Sequence, residues 1–181
     1  MADNGIYPPT VLWLTGLSGA GKTSIAQCLM AQFEVMGITP VLLDGDEIRK
    51  TMPLIGFDQE ARKTHNRNVG KMAAMAEKQG KVVIVALISP YEDVRQEIRA
   101  MCHNFIEVYV STNLDTCIKR DPKGLYKRAL SGEIKDFTGI NAPYQKPQNP
   151  EIQINTENKT IDECSQTIFQ FYKNKYKNGN K

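Results

Sequence analysis

The residues GLSGAGKT, Gly16 to Thr23, fit the spacing G-x-x-x-x-G-K-[ST] at every fixed position. Glycines at such intervals let successive backbone N–H groups wrap a polyphosphate, and the helix that follows adds its dipole. Gly16, Leu17, Ser18, Gly19, Ala20 and Gly21 are therefore the expected cradle, with Lys22 reaching the outer phosphates and the Thr23 hydroxyl placed to hold Mg2+. The pattern points to ATP or GTP with magnesium.

A second group follows in LLDGDEIRK, residues 42 to 50, where an apolar run stops at Asp44 and Asp46 and Arg49 comes three residues later. Ligands of open α/β sheets sit beyond the carboxyl ends of the strands, so both carboxylates can face the γ-phosphate region. Two like charges this close repel unless a cation or a shared proton relieves them. A Mg2+ shell on one side and an acceptor hydroxyl on the other would do both, and Asp46 could equally cap the next helix.

Basic residues crowd the segment beyond: Arg49, Arg62 and Arg67, with His65. A helix starting near Asp58 puts Arg62, His65, Val69, Ala73 and Ala76 on one stripe, apolar late and polar early. Charged groups that continue a buried stripe toward the ligand edge suggest an anionic acceptor, although a solvated first turn gives the same pattern.

The elements that must position these groups alternate along the chain. TVLWLT (10 to 15), PVLLD (40 to 44), VVIVALI (82 to 88), FIEVYV (105 to 110) and a weaker EIQIN (151 to 155) read as strands, the first four covered on both faces as parallel sheets require. Between them Ile25, Leu29, Phe33 and Met36 mark one helix ended by Gly37, and Val69, Met72, Ala73 and Ala76 another ended by Gly80. Thr160 and Glu163 form a capping box for a last helix running through Ile168 and Phe171. The expected fold is an open, mainly parallel α/β sheet of five strands with helices on both faces. Residues 121 to 150, with three prolines after 140, read as a lid and binding loop, because a strand and a helix still follow.

A chain of 181 residues suits one domain, with 1 to 9 as an N-terminal extension and 174 to 181 as a flexible tail. No apolar run is long enough to span a bilayer and the N-terminus lacks signal-peptide character, so the expected location is cytoplasmic. Cys28, Cys102, Cys117 and Cys164 form no C-x-x-C pair and are expected to be reduced. A net charge of +3 is too slight to argue for nucleic acid. No N-K-x-D sequence accompanies the cradle, which favours a small-molecule kinase over a GTPase-like switch.

In order and at similar intervals, GLSGAGKT, LDGDEIR, GF with its downstream arginine, ISPY (88 to 91), FIEVYV and RDPKGLYKRALSGEIKDFTGI (120 to 140) resemble the adenylylsulfate kinases, a family with the P-loop kinase fold. The resemblance covers roughly residues 10 to 155, and its KGLY and FTGI motifs are more specific than the P-loop. It implies transfer of the ATP γ-phosphate to the ribose 3'-hydroxyl of adenosine 5'-phosphosulfate, and a homodimer. A functional partnership with an ATP sulfurylase is compatible with it. Position by position, Lys22, Thr23, Asp44 and Asp46 match the phosphate, metal and hydroxyl-activating groups, and Thr23 with Asp44 the metal ligands. Arg49 and Arg62 match binders of the phosphosulfate, and Phe57 and Phe137 the aromatic pair around the adenine. Ile88, Ser89 and Pro90 line the same pocket, with Lys123, Gly124 and Leu125 from the lid. Ser89 also matches a serine labelled a phosphoserine intermediate, a role that direct in-line transfer does not need. The chain departs from the pattern at KTMPLI (50 to 55), at His65 where the family has asparagine, and at Asn141 and Ala142 where it has an acidic pair. The same chemistry on a different activated nucleotide, a sugar-acid or shikimate type of kinase, and a regulatory nucleotide binder without turnover stay open at this point.

Overall fold

The computed structural model describes residues 7–51, 56 and 58–177. The chain runs β1 (Thr10–Thr15), α1 (Lys22–Val35), β2 (Val41–Asp44), α2 (Gly45–Thr51), α3 (Gln59–Lys78), β3 (Val82–Ala86), α4 (Glu92–Met101), β4 (Phe105–Val110), α5 (Leu114–Arg120), α6 (Leu125–Leu130), β5 (Ile152–Ile154) and α7 (Ile161–Lys177). The five strands form one sheet in the order β2-β3-β1-β4-β5, every pair parallel. The expected strands are all present and the sheet is wholly rather than mainly parallel.

Alternation along β1 divides the interior. Leu12 and Leu14 face a core completed by α1, α7 and the lid, whereas Val11 and Trp13 face one completed by α3 and α4. On the second face Gly70 lets α3 and α4 approach closely, since a Cβ there would lie 2.5 Å from Ile98 Cγ1. The surface pairs Lys63–Asp93 and Arg67–Glu97 cross the same seam. Arg67 thus belongs to the α3–α4 contact and not to the basic group at the sheet edge.

Local signals place the helix ends. Asp58 caps α3, its Oδ1 accepting from Ala61 N at 2.9 Å. The Thr160–Glu163 box closes in both directions, with Thr160 N donating to Glu163 Oε2 at 2.7 Å and Glu163 N to Thr160 Oγ1 at 3.2 Å. Gly37 follows α1 with φ 77 and Gly80 follows α3 with φ 85.

Two expectations need correction. Met72 lies off the buried stripe of α3 and is 40% exposed, because the stripe turns inward at Val69, Ala73 and Glu77 instead. The segment expected to fray from residue 174 is helical as far as Lys177. Aromatic residues one turn apart explain this: Tyr172 is fully buried, packs edge-on against Phe33 and Tyr176, and donates from its hydroxyl to Pro8 O at 3.0 Å. Tyr7 stacks on the same ring, so the described end of the N-terminal extension is part of this packing.

Candidate active site

β1 is buried along its whole length and delivers the chain at Thr15 into the glycine loop. Gly16 cannot be replaced without movement, since a Cβ would sit 2.5 Å from the Val110 carbonyl oxygen. Gly21 in a left-handed conformation precedes α1, which has no side-chain cap, leaving its first amides to a ligand. Behind the loop, the Thr112 and Thr156 hydroxyls lie 2.7 Å apart, and within 3.1 and 3.0 Å of the Ala20 carbonyl oxygen. Arg120 donates to Thr156 Oγ1 at 2.7 Å and to Thr156 O at 2.9 Å. Sequence reasoning missed these braces because they come from beyond the ends of β4 and β5, and nothing local marks a threonine as a support for a loop 92 residues away.

Lys22 is buried, and its ammonium donates to Gly16 O at 2.8 Å and Leu17 O at 2.7 Å. Burial pushes its pKa from the ordinary lysine value down to about 8. The Thr23 hydroxyl donates to Asp44 Oδ2 at 2.8 Å, and Asp44 Oδ1 accepts from Asp46 N at 2.9 Å. One carboxylate thus joins the cradle to the start of α2, although β3 separates β2 from β1 in the sheet. Asp46 points outward and pairs with Lys123 of the lid. The two aspartates therefore have different surroundings: Asp44 is buried beside the threonine hydroxyl, and Asp46 is open at the mouth.

The basic group lies on the other side of Asp46. Arg62 is buried and donates to Thr138 Oγ1, in the FTGI segment, at 2.9 Å. Arg49 is half-buried, and its pKa is lowered first by burial and then by the charge of Arg62. The Arg62 guanidinium stands close enough to Arg49 to disfavour its charged form, so the two concentrate positive charge beside Asp46. His65 is 3% exposed, and burial, then the charge of Arg49, pushes its pKa down to about 4. It is uncharged at neutral pH, hydrogen-bonded to the Gly45 backbone, with Nε2 buried and without a hydrogen-bond partner among the described residues.

Ser89 follows β3 with φ 39, a left-handed conformation that costs a non-glycine residue about 1–3 kcal/mol. Its Oγ accepts from Trp13 Nε1 at 3.0 Å, and the residue is 1% exposed. The Thr15 hydroxyl holds the Ile88 carbonyl at 2.7 Å, and Pro90 is buried beside it. A hydroxyl this enclosed and already accepting from an indole is placed as structure rather than as a nucleophile. We expect Ser89→Ala to keep at least about one tenth of wild-type kcat, the loss of one neutral hydrogen bond being worth about 1 kcal/mol. A steady-state assay checks this, and abolition of turnover in the folded variant would revive the phosphoserine reading.

The lid lies against both halves. Lys123 and Gly124 lead into α6 at Leu125, where the Asp121 carboxylate accepts from Tyr126 N and Lys127 N, each at 3.0 Å. The Tyr126 hydroxyl donates to Ser18 O in the cradle at 2.9 Å, and Phe137 meets the same ring edge-on at 5.0 Å. Asn141 closes the FTGI turn: its Oδ1 accepts from Phe137 N at 2.5 Å and its Nδ2 donates to Ile134 O at 3.2 Å. Phe57, the other expected aromatic, lies outside the described residues.

The model of the adenylylsulphate kinase family matches residues 8–155, which is more than half of the chain. The chain belongs to the adenylylsulphate kinase family. An adenylyl-sulfate kinase of Rippkaea orientalis is 46% identical over 160 residues, 88% of each chain. The APS kinase of Mycobacterium tuberculosis, solved in complex with AMPPNP and APS, superposes with a TM-score of 0.87 at 35% identity, covering 92% of this chain and 98% of that one. A shikimate kinase of Acinetobacter baumannii reaches a TM-score of 0.58 at 19% identity, over 92% and 94% of the two chains, and shares the fold alone. The P-loop kinase fold is thus common to several acceptor classes, while the family is fixed by identity along nearly the whole chain.

Proposed function

We propose that the protein transfers the γ-phosphate of ATP to the ribose 3'-hydroxyl of adenosine 5'-phosphosulfate, giving 3'-phosphoadenosine 5'-phosphosulfate, the step that completes sulfate activation. The observation that carries this reading is the position of Asp46 between the phosphate cradle, reached through Asp44 and Thr23, and the Arg49–Arg62 pair. Family membership supplies the acceptor's identity.

The residues divide the work as follows. The loop amides from Gly16 to Gly21 and the Lys22 ammonium hold the polyphosphate, for which Lys22 must leave the carbonyls of Gly16 and Leu17. Thr23 and Asp44 supply two adjoining oxygens, a set that suits Mg2+, which takes one or two carboxylates plus phosphate oxygens rather than an all-protein cage. Magnesium bound there would neutralise phosphate charge. Asp46 accepts the proton of the attacking hydroxyl. Arg49 and Arg62 hold the acceptor's anionic end, and Phe137 forms one wall for its base, with Phe57 as the other. Ile88 to Pro90 floor the pocket, and Lys123 to Leu125 bring the lid over it.

The same reading makes the chain one catalytic domain, acting as a homodimer in the cytoplasm, where a partnership with an ATP sulfurylase would supply its substrate. No helix among the described residues is long and apolar enough to cross a membrane, and the four cysteines are free thiols in the structure.

A coupled ADP-release assay over a panel of acceptors tests the proposal. Adenosine 5'-phosphosulfate is expected to stimulate release, and shikimate and sugar acids are not. ATP binding with no acceptor response would favour a regulatory role. His65→Asn tests acceptor choice: the imidazole's single acceptor is replaced by an amide that both donates and accepts, so selectivity among 5'-activated nucleotides should shift by about tenfold. Equal selectivity in both proteins would remove His65 from recognition.

ATP binding should also depend on pH through Lys22. Bound phosphate favours the charged ammonium, so the complex holds a proton that the free protein releases as pH rises through about 8. Below that value both forms are charged and affinity is flat. Above it, ATP affinity should fall by up to about tenfold per pH unit, and titration calorimetry in buffers of different ionisation enthalpy should detect proton uptake.

A further inference from the structure

The most enclosed charged side chain among the described residues has no part in the chemistry above. Arg95, on α4, is fully buried. Its guanidinium donates from Nε to Glu107 Oε1 at 2.8 Å, from Nη1 to Ser89 O at 2.7 Å, and from Nη2 to Gln145 O at 2.8 Å and to the Glu92 carboxylate. The bland account is charge neutralisation of Glu107, itself buried on β4. That account is incomplete, because Arg99 already reaches the other oxygen of Glu107 at 3.3 Å while pairing with Glu151. A second buried cation on Glu107 brings in Glu92 as a further counter-charge, which neutralisation alone does not call for.

What Arg95 adds is its two backbone contacts. One goes to Ser89, the left-handed residue of the acceptor-lining turn, and the other to Gln145, where the lid returns to the sheet. The same two segments are stitched nearby. Gln145 N donates to Pro90 O at 2.8 Å, Glu92 N donates to Gln145 Oε1 at 2.8 Å, and the Tyr144 hydroxyl lies 2.9 Å from Thr15 Oγ1. Tyr144 also stacks on Tyr109 of β4. A planar guanidinium offers its donors in fixed directions, so two carbonyls bound to one fork have one relative placement.

We propose that Arg95 is a positioning residue for the acceptor, clamping the Ser89 turn and the C-terminal root of the lid in one geometry. The proposal rests on the functional reading above for its kinetic arm only.

In that arm, Arg95→Lys keeps a charge beside Glu107 but loses the fork. The KM for adenosine 5'-phosphosulfate should rise about tenfold or more, with the KM for ATP within about twofold of wild type. A second variant, Tyr144→Phe with Gln145→Ala, leaves the buried pair intact and guards against a folding defect; it should shift the acceptor KM the same way by a few-fold. Amide exchange reads the clamp without turnover: Gln145 and Glu92 should exchange faster in both variants while β1 and β3 keep their protection. Unchanged acceptor KM in the active variants, equal rises in both KM values, or exchange altered uniformly along the chain would each overturn the proposal. Failure of the wild type to phosphorylate the acceptor would overturn the functional reading, and the exchange result would then decide the clamp.

Discussion

Asp46→Asn should lower kcat by about 100- to 10,000-fold, the range that a positioned general base contributes, while ATP still binds. The substitution keeps the side chain's size and leaves Asp46 N on Asp44 Oδ1 at 2.9 Å, so the start of α2 is undisturbed. It removes a negative charge that faces Lys123 and stands next to the arginine pocket. Asp44→Asn should behave differently. Asp44 is buried against the Thr23 hydroxyl, so its loss should weaken nucleotide binding together with turnover. Single-turnover measurements beside equilibrium ATP binding separate the two. A fall of less than about tenfold for Asp46→Asn would assign proton acceptance elsewhere.

Arg62→Met should raise the KM for the acceptor by about 30- to 5,000-fold, corresponding to the 2–5 kcal/mol lost when one member of a desolvated charge pair is removed. The KM for ATP should stay within a few-fold. Arg62→Lys should recover only a small part, because an ammonium cannot present a fork to a phosphate or sulfate group. Stability should move the opposite way or hardly at all. Arg62 gives up one hydrogen bond to Thr138, about 1 kcal/mol, but the unliganded protein is relieved of a buried like charge next to Arg49. A thermal melt beside acceptor kinetics checks both signs. A variant that loses several degrees of melting temperature and equal affinity for both substrates would make Arg62 a structural residue.

Self-contained elements were the legible ones. The glycine loop declares itself because phosphate binding by backbone amides needs its spacing, and strands β1, β3 and β4 because burial on both faces needs unbroken apolar runs, whereas the edge strand β2, expected to be covered likewise, leaves Val41 and Leu42 partly exposed. The Thr160–Glu163 box and the Asp58 cap are interactions across three residues, so their partners stand in the same few letters. Residues that look alike locally were harder. Arg62 and Arg67 lie little more than one turn apart on α3, yet one meets the lid and the other Glu97 on α4. Spacing alone puts Met72 in the core, and residues 174 to 181 read as a tail, although Tyr176 within them packs edge-on against Tyr172 and accepts from the Thr10 hydroxyl.

The sequence by itself determined a glycine loop of phosphate-binding spacing at Gly16 to Thr23, an acidic pair where the second strand ends, and, beyond it, a basic group and a long proline-bearing segment before the last strand. Those features depend on residue type and short spacing, which is all that a linear chain displays. Only the tertiary structure decided that Asp44 meets Thr23 across an intervening strand, that Tyr126 reaches Ser18, that His65 is buried and uncharged, and that Arg95 binds both Ser89 and Gln145. Each of these depends on burial or on a partner far away in sequence, and the parallel sheet's crossover connections set both distance and desolvation.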